Sequence, residues 1–167
     1  MDLQDTARVP LITDREQVDE THRDSYDRIA ETRGSVRGPF SALFNSPDVA
    51  GRVGDLGAYV RYESVLADDV RELAVLTTAR QCGCLYEWAV HEPIARDAGV
   101  SDAAIDALVA ERGVENLDAT AALVVAYGRE LLGACTVSED AFASAKDCFG
   151  VQGVTELTAT MGYYGML

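Results

Sequence analysis

Apolar residues recur along this chain with the period of an α-helix. In the segment from residue 68 to residue 81, helical geometry places Val75, Leu76 and Ala79 on one side. No stretch alternates apolar and polar residues for long enough to indicate a β-strand. The pattern therefore predicts an all-α protein.

Capping residues, prolines and glycines predict where the helices begin and end. The capping-box pattern Thr13-Asp14-Arg15-Glu16 predicts the start of a polar helix that Gly34 ends. Ser46-Pro47 combines an N-cap with a proline at the first helical position and predicts a helix to about Tyr62. Further boundaries are predicted at Asp68 or Asp69, Gly83, Gly99, Ser101, Asp118, Ser138 and Gly153.

The length of the chain fits a single domain. It has 167 residues, of which 48% are hydrophobic, and this is enough for one core. No proline-rich or serine-rich linker divides the sequence. We therefore predict one helical domain over residues 35–167, preceded by an N-terminal helical arm over residues 1–34.

The sequence and its composition also indicate in which cellular compartment the protein is located. No apolar run approaches the ~20 residues of a membrane span, and Met1-Asp2-Leu3-Gln4-Asp5 lacks the basic start of a signal peptide. Four cysteines in a chain of this length indicate neither a disulfide scaffold nor a closed zinc site. We expect a cytoplasmic protein with reduced thiols, no membrane partner and no cofactor.

The net charge of −14 excludes one class of partner. It arises from 28 acidic and 14 basic residues, and Lys146 is the only lysine. Such a surface repels phosphate backbones, so we expect no nucleic-acid partner. An acidic excess with so little lysine is typical of proteins from high-salt cells, and equally of genomes whose codons favour arginine.

Four reactive side chains lie close together near the middle of the chain. If Gly83 ends one helix, Cys84 begins the next, and Glu87 and His91 follow three and seven residues later on the same face. Apolar residues share this face, which is therefore expected to point inward. Glu72, one helix earlier, also lies among apolar residues. Two inward carboxylates and one imidazole indicate a buried proton-handling site.

The order of these residues resembles the carboxymuconolactone decarboxylase and alkylhydroperoxidase D family. Its signature is a glutamate, about a dozen residues, and then Cys-x-x-Cys-x-x-x-His, and Glu72, Cys84 and His91 match it. Glu87 stands where the peroxidase branch has its second cysteine. The run Tyr86-Glu87-Trp88 with His91 is similar to the decarboxylase-like branch.

The resemblance covers residues 35–167 and implies an alkylhydroperoxidase D-like helical domain. It also implies acid–base catalysis on a small carboxylate or lactone. His91 would move a proton between the substrate and Glu72 or Glu87. Cys84 and the free amides at the helix start would stabilise an oxyanion. The two carboxylates and the imidazole also offer metal ligands, although this chemistry needs no metal.

Three further residues are candidates for binding a small-molecule substrate. Tyr86 and Trp88 flank the signature and would form a pocket wall, and Arg61 would pair with an anionic substrate. The remaining cysteines are predicted to be packing residues: Cys82, Cys135 and Cys148.

Two other functions stay open. The first is thiol peroxidase chemistry, in which Cys84 attacks a peroxide and an external thiol restores it. Cys82 is too close in sequence to form an unstrained disulfide with it. The second is a non-catalytic helical oligomer whose polar cluster binds a small ligand.

The resemblance also implies assembly as a homotrimer or a dimer of trimers. Segments 123–127 and 151–167 carry apolar residues on more than one side, which favours burial between subunits. Such burial would shield Glu72 and His91 from bulk water.

Overall fold

The computed structural model describes residues 7–111 and 113–167. Over these residues the chain forms eight α-helices and no β-strands, which confirms the predicted all-α class. The helices are α1 (Arg23–Arg33), α2 (Pro39–Leu43), α3 (Pro47–Tyr62), α4 (Asp68–Gln81), α5 (Leu85–Asp97), α6 (Asp102–Val109), α7 (Ala119–Ala134) and α8 (Glu139–Met166).

The helices belong to two compact units. One unit runs through Glu63 and includes α1, α2 and α3, and the other extends from Ser64 to Leu167 and includes α4 to α8. The boundary predicted between residues 34 and 35 lies within the first unit, between α1 and α2. The division into an arm and a domain stays a prediction.

The first unit begins differently from the prediction. The segment expected to open one long polar helix instead forms two short 3₁₀ turns, and α1 starts only at Arg23. The capping box belongs to Asp14 and Gln17 rather than to Thr13 and Glu16. The helix cannot continue from there, because Val18 is buried with extended φ and ψ angles. Helix α1 ends as predicted at Gly34, whose φ is 76°.

Helix α4 forms the centre of the second unit. It packs against α5, α6, α7 and α8 and is buried along most of its length. The hydroxyls of Thr77 and Thr78 are buried as well, and each donates to the carbonyl four residues earlier in the helix. Because α4 has neighbours on nearly every side, Glu72 lies inside the core of this unit.

Most predicted helix boundaries in the second unit are confirmed. Ser101, Asp118 and Ser138 are N-caps whose side chains each accept a backbone amide proton from three residues further on. Gly83 and Gly99 adopt positive φ angles of 64° and 97° where α4 and α5 end.

The predicted break at Gly153 is wrong. Helix α8 is interrupted three residues earlier, at Gly150, where φ is 73° and ψ is 176°. Gly153 is buried within the helix, and a Cβ there would lie 2.6 Å from the Cβ of Phe149. Gly150 can take the non-helical conformation because it has no Cβ, and this positive φ would be strained for other residues.

Glu156 on α8 fixes the segment that leads into α4. Its Oε2 accepts hydrogen bonds from Ser64 Oγ at 2.7 Å and from the Val65 amide at 2.8 Å. Its Oε1 accepts from Gln152 Nε2 at 2.8 Å. The start of α4 is thereby tied to the last helix of the chain.

We predict that Gly128→Ala destabilises the protein by about 1–3 kcal/mol, measured as the free energy of unfolding in urea. A Cβ at this position of α7 would lie 2.7 Å from Thr77 Cγ2 of α4 and 2.9 Å from Met161 Cε. The control is Gly133→Ala on the same helix, where a Cβ meets nothing within 4 Å. The free energy of unfolding of that variant should rise by up to about 1 kcal/mol. Equal effects at both positions would contradict close packing at Gly128.

Candidate functional site

A tight connection between α4 and α5 positions the site. The amide of Gly83 donates to the carbonyl of Arg80 at 3.2 Å, and that of Cys84 donates to the carbonyl of Ala79 at 2.8 Å. Cys84 is the N-cap of α5, and its carbonyl accepts the first helical bond from Trp88 at 3.1 Å. The chain therefore turns back immediately, and α5 lies against α4.

Glu72, Glu87 and His91 form a buried cluster between these two helices, and their exposed fractions are 1%, 5% and 2%. His91 Nδ1 and Glu72 Oε2 are 2.7 Å apart, which is a short hydrogen bond. His91 Nε2 lies 3.6 Å from Glu87 Oε2, an ion-pair distance that is longer than a hydrogen bond. The imidazole ring is thus held between two carboxylates, one at each nitrogen.

Two further side chains complete the surroundings of this cluster. Arg71 Nε lies 3.7 Å from Glu72 Oε1, the carboxylate oxygen that does not bond to His91. The ring of Tyr164, on α8, meets the imidazole edge-on, with centroids 5.0 Å apart and planes at 84°. Sequence periodicity identified neither residue, because an arginine beside an acidic helix start looks solvated and Tyr164 is distant in sequence.

The charges of the cluster can balance while one proton moves. Arg71 lies beside Glu72, and a proton that passes between His91 Nε2 and Glu87 leaves the total charge of the cluster unchanged. Buried charges are tolerated only when they are balanced in this way. This arrangement can donate and accept a proton at a fixed position.

A sequence model of the carboxymuconolactone decarboxylase family matches residues 47–130, which is half of the chain and includes the whole cluster. The chain belongs to the carboxymuconolactone decarboxylase family. No curated protein sequence matches it. Family membership confirms the resemblance found in the sequence.

Cys84, the thiol of the family signature, is half-buried and lines a cleft of about 300 Å³. The other lining residues are Ala79, Arg80, Gly83, Leu85, Trp88 and Val109. Trp88 is therefore part of the cleft wall, and its role in substrate binding stays a prediction. The guanidinium of Arg80 donates hydrogen bonds to the carbonyls of Leu108 and Val109 and to the carboxylate of Glu111. The wall of the cleft thus presents a thiol, an indole ring and mainly apolar surface.

The other predicted binding residues lie outside this cleft wall. Tyr86 is 41% exposed on α5. Arg61 belongs to the first unit, where its guanidinium lies 5.5 Å from the ring of Tyr62. Their roles in substrate binding stay predictions.

The predictions for the remaining cysteines are wrong. Cys82, Cys135 and Cys148 are all exposed rather than packed in the core. Cys82 and Cys135 are the C-caps of α4 and α7, where the chain leaves its helix. Cys148 lies on an outward position of α8, just before the break at Gly150.

Neither a metal site nor a membrane span is found in the described parts of the chain. Over residues 7–111 and 113–167, no three histidine, cysteine, aspartate or glutamate side chains are arranged to hold a metal ion. Glu72 and Glu87 approach opposite nitrogens of His91, so their oxygens do not converge on one point. No described helix has the length and apolarity needed to cross a bilayer.

We predict that Glu72→Gln lowers the free energy of unfolding by about 1.5–3 kcal/mol, because it removes a charged partner from His91 and Arg71 inside the core. The matched control is Glu92→Gln on α5, whose carboxylate accepts from Arg96 on the surface. The free energy of unfolding of that variant should fall much less, since exposed ion pairs contribute little to stability. Urea titrations of both variants are the measurement. Equal losses would show that Glu72 is not a buried structural partner.

Proposed function

We propose that the protein is an enzyme that performs acid–base catalysis on a small carboxylate or lactone. One observation carries the proposal: the His91 imidazole is held between two buried carboxylates. Histidine is the most common general acid and base in enzymes, and a buried carboxylate partner fixes its orientation. Membership of the carboxymuconolactone decarboxylase family supports this reading.

The three residues have different roles in the proposed mechanism. Glu72 accepts a hydrogen bond from the Nδ1–H group of His91 and keeps the ring in place. Nε2 and Glu87, 3.6 Å apart, form the exchanging pair that gives a proton to the substrate or takes one from it. Such distances often shorten only when substrate binds, so the gap is compatible with proton transfer.

Decarboxylation of an unsaturated lactone is the reaction that we infer. When carbon dioxide leaves, the electron pair of the broken C–C bond passes into the conjugated system and forms a dienolate. His91 or Glu87 then protonates a carbon of the dienolate, and the pair regains its proton from solvent. Cys84 and the amides at the start of α5 would stabilise the oxyanion, since these first amides lack intrahelical acceptors.

We further propose that the enzyme is a homotrimer or a dimer of trimers. Helix α5 exposes apolar side chains beside the signature, including Leu85, which is 82% exposed, and Val90. Exposed apolar surface of this kind is covered when subunits associate. Association would also enclose the cleft that Cys84 lines.

We predict that Glu87→Gln lowers kcat/KM by about 10²–10⁴-fold and that His91→Ala abolishes turnover, because each removes one member of the exchanging pair. Wild-type protein would first be incubated with a panel of small unsaturated lactones and carboxylic acids, and carbon dioxide release measured. Glu92→Gln, a surface carboxylate on the same helix, should retain activity. Full activity of Glu87→Gln would contradict the proposal. A ligand that binds without turnover would favour a non-catalytic binding protein.

A thiol peroxidase is the second candidate, and the accessible position of Cys84 in its cleft favours it. Attack of the thiolate on a hydroperoxide breaks the O–O bond, gives a sulfenic acid and releases an alcohol or water. The position of the resolving cysteine is occupied by buried Glu87. An external thiol would therefore have to reduce the sulfenic acid.

We predict that mild peroxide produces a dimedone-reactive sulfenic acid at Cys84 and no disulfide between Cys82 and Cys84. Peptide mapping after dimedone treatment locates the label, and the exposed Cys135 and Cys148 serve as internal references. Equal labelling of all four thiols would remove the case for a dedicated peroxidatic cysteine. A stoichiometric Cys82–Cys84 disulfide that is reduced during turnover would instead make peroxidase chemistry the first candidate.

A further inference from the structure

Arg71 is a cation in an unfavourable place. It lies in the first turn of α4, where the helix dipole disfavours positive charge. Its side chain is only 13% exposed. Its Nε atom is buried and makes no hydrogen bond within the described part of the chain. An arginine that only made the surface hydrophilic would extend its guanidinium into water instead.

The guanidinium lies between the buried site and the surface. Arg71 Nε faces Glu72 Oε1 at 3.7 Å, while Oε2 of the same carboxylate accepts from His91 at 2.7 Å. Arg71 Nη1 donates to Asp68 Oδ1 at 2.9 Å, and Asp68 is exposed. Asp68 therefore tethers one end of the guanidinium, and Glu72 lies between Arg71 and His91.

We propose that Arg71 is a positioning residue for the proton relay. Its guanidinium lies 3.7 Å from Glu72 and balances the negative charge of the carboxylate, and a carboxylate can only accept a hydrogen bond. The ring proton of His91 is then fixed on Nδ1, and Nε2 becomes the nitrogen that exchanges protons with Glu87 or a substrate. The inference rests on the proton relay proposed above. It specifies which nitrogen of His91 holds the fixed proton and which one exchanges protons.

The charge balance explains what loss of Arg71 would do. Among the described residues, Glu72 from α4, Glu87 from its own helix and Tyr164 from α8 lie against His91, and Arg71 from α4 lies against Glu72. Without the guanidinium, the cluster is left with an unbalanced buried negative charge, which favours uptake of a proton. With that proton on Glu72, the carboxyl group donates to Nδ1, and the ring proton moves to Nε2.

The chain has only two histidines, His22 and His91, so long-range ¹H–¹⁵N NMR can resolve the nitrogens of each ring. In wild-type protein at neutral pH, we expect His91 to be protonated at Nδ1. Arg71→Met should lose the Nδ1 proton and gain one on Nε2, because the cation is absent. Arg71→Lys keeps the charge and should restore the wild-type pattern.

Control variants distinguish the effect of the charge at position 71 from the effect of removing any cation from the protein. Arg52→Met removes an exposed cation on α3 and should leave the His91 signals unchanged. Infrared spectra of Arg71→Met should show an additional protonated carboxylic acid, and the double variant with Glu72→Gln should lack it. If Arg71→Met does not fold, as judged by circular dichroism, Arg71→Gln is measured in its place.

The inference is overturned if a folded Arg71 variant without the charge keeps Nδ1 protonated, or if wild-type His91 carries its only ring proton on Nε2. Because the NMR pattern is independent of turnover, it separates this inference from the proposed function. The expected tautomer change in a protein that turns over no substrate would support the role of Arg71 and count against the enzymatic proposal.

Discussion

The hydrogen bond between Glu72 and His91 is the interaction on which the rest of the site depends. At 2.7 Å it joins α4 to α5 inside the core, and both partners are almost fully buried. Breaking such a pair by removing one partner leaves the other uncompensated, which is costly in a buried environment. The bond also orients the ring, so that the second nitrogen is presented to Glu87. Stability and proposed chemistry therefore rest on the same two side chains.

The surrounding helices make this bond possible. The turn at Gly83 returns α5 against α4, and Glu156 on α8 holds the segment before α4. Close approach of α7 at Gly128 fills the other side of α4. A central helix covered on nearly every side provides the low-dielectric surroundings in which a carboxylate–imidazole pair interacts strongly.

Local signals in the sequence predicted much of this arrangement. Ser101, Asp118 and Ser138 act as N-caps through bonds to nearby amides, and such bonds are encoded within a few residues. Helical periodicity predicted that Glu87 and His91 point inward from one helix and that Glu72 lies among apolar residues of the helix before it, and all three side chains are buried.

Features decided by distant parts of the chain were not predictable in this way. The break in α8 falls at Gly150 and not at Gly153, because packing around Phe149 buries the second glycine. The depth of Arg71 and the edge contact of Tyr164 depend on how separate helices meet. The exposure of Cys82, Cys135 and Cys148 has the same origin, because sequence alone does not show which helix ends and which helix faces reach the surface.

Neutron diffraction from crystals grown at neutral pD tests the central claim most directly, because it locates deuterons on side chains. We expect a deuteron on His91 Nδ1 directed at a bare Glu72 carboxylate, and one more between His91 Nε2 and Glu87. A deuteron bound to Glu72, or none between Nε2 and Glu87, would contradict a relay in which Glu72 holds the ring and Glu87 exchanges the proton.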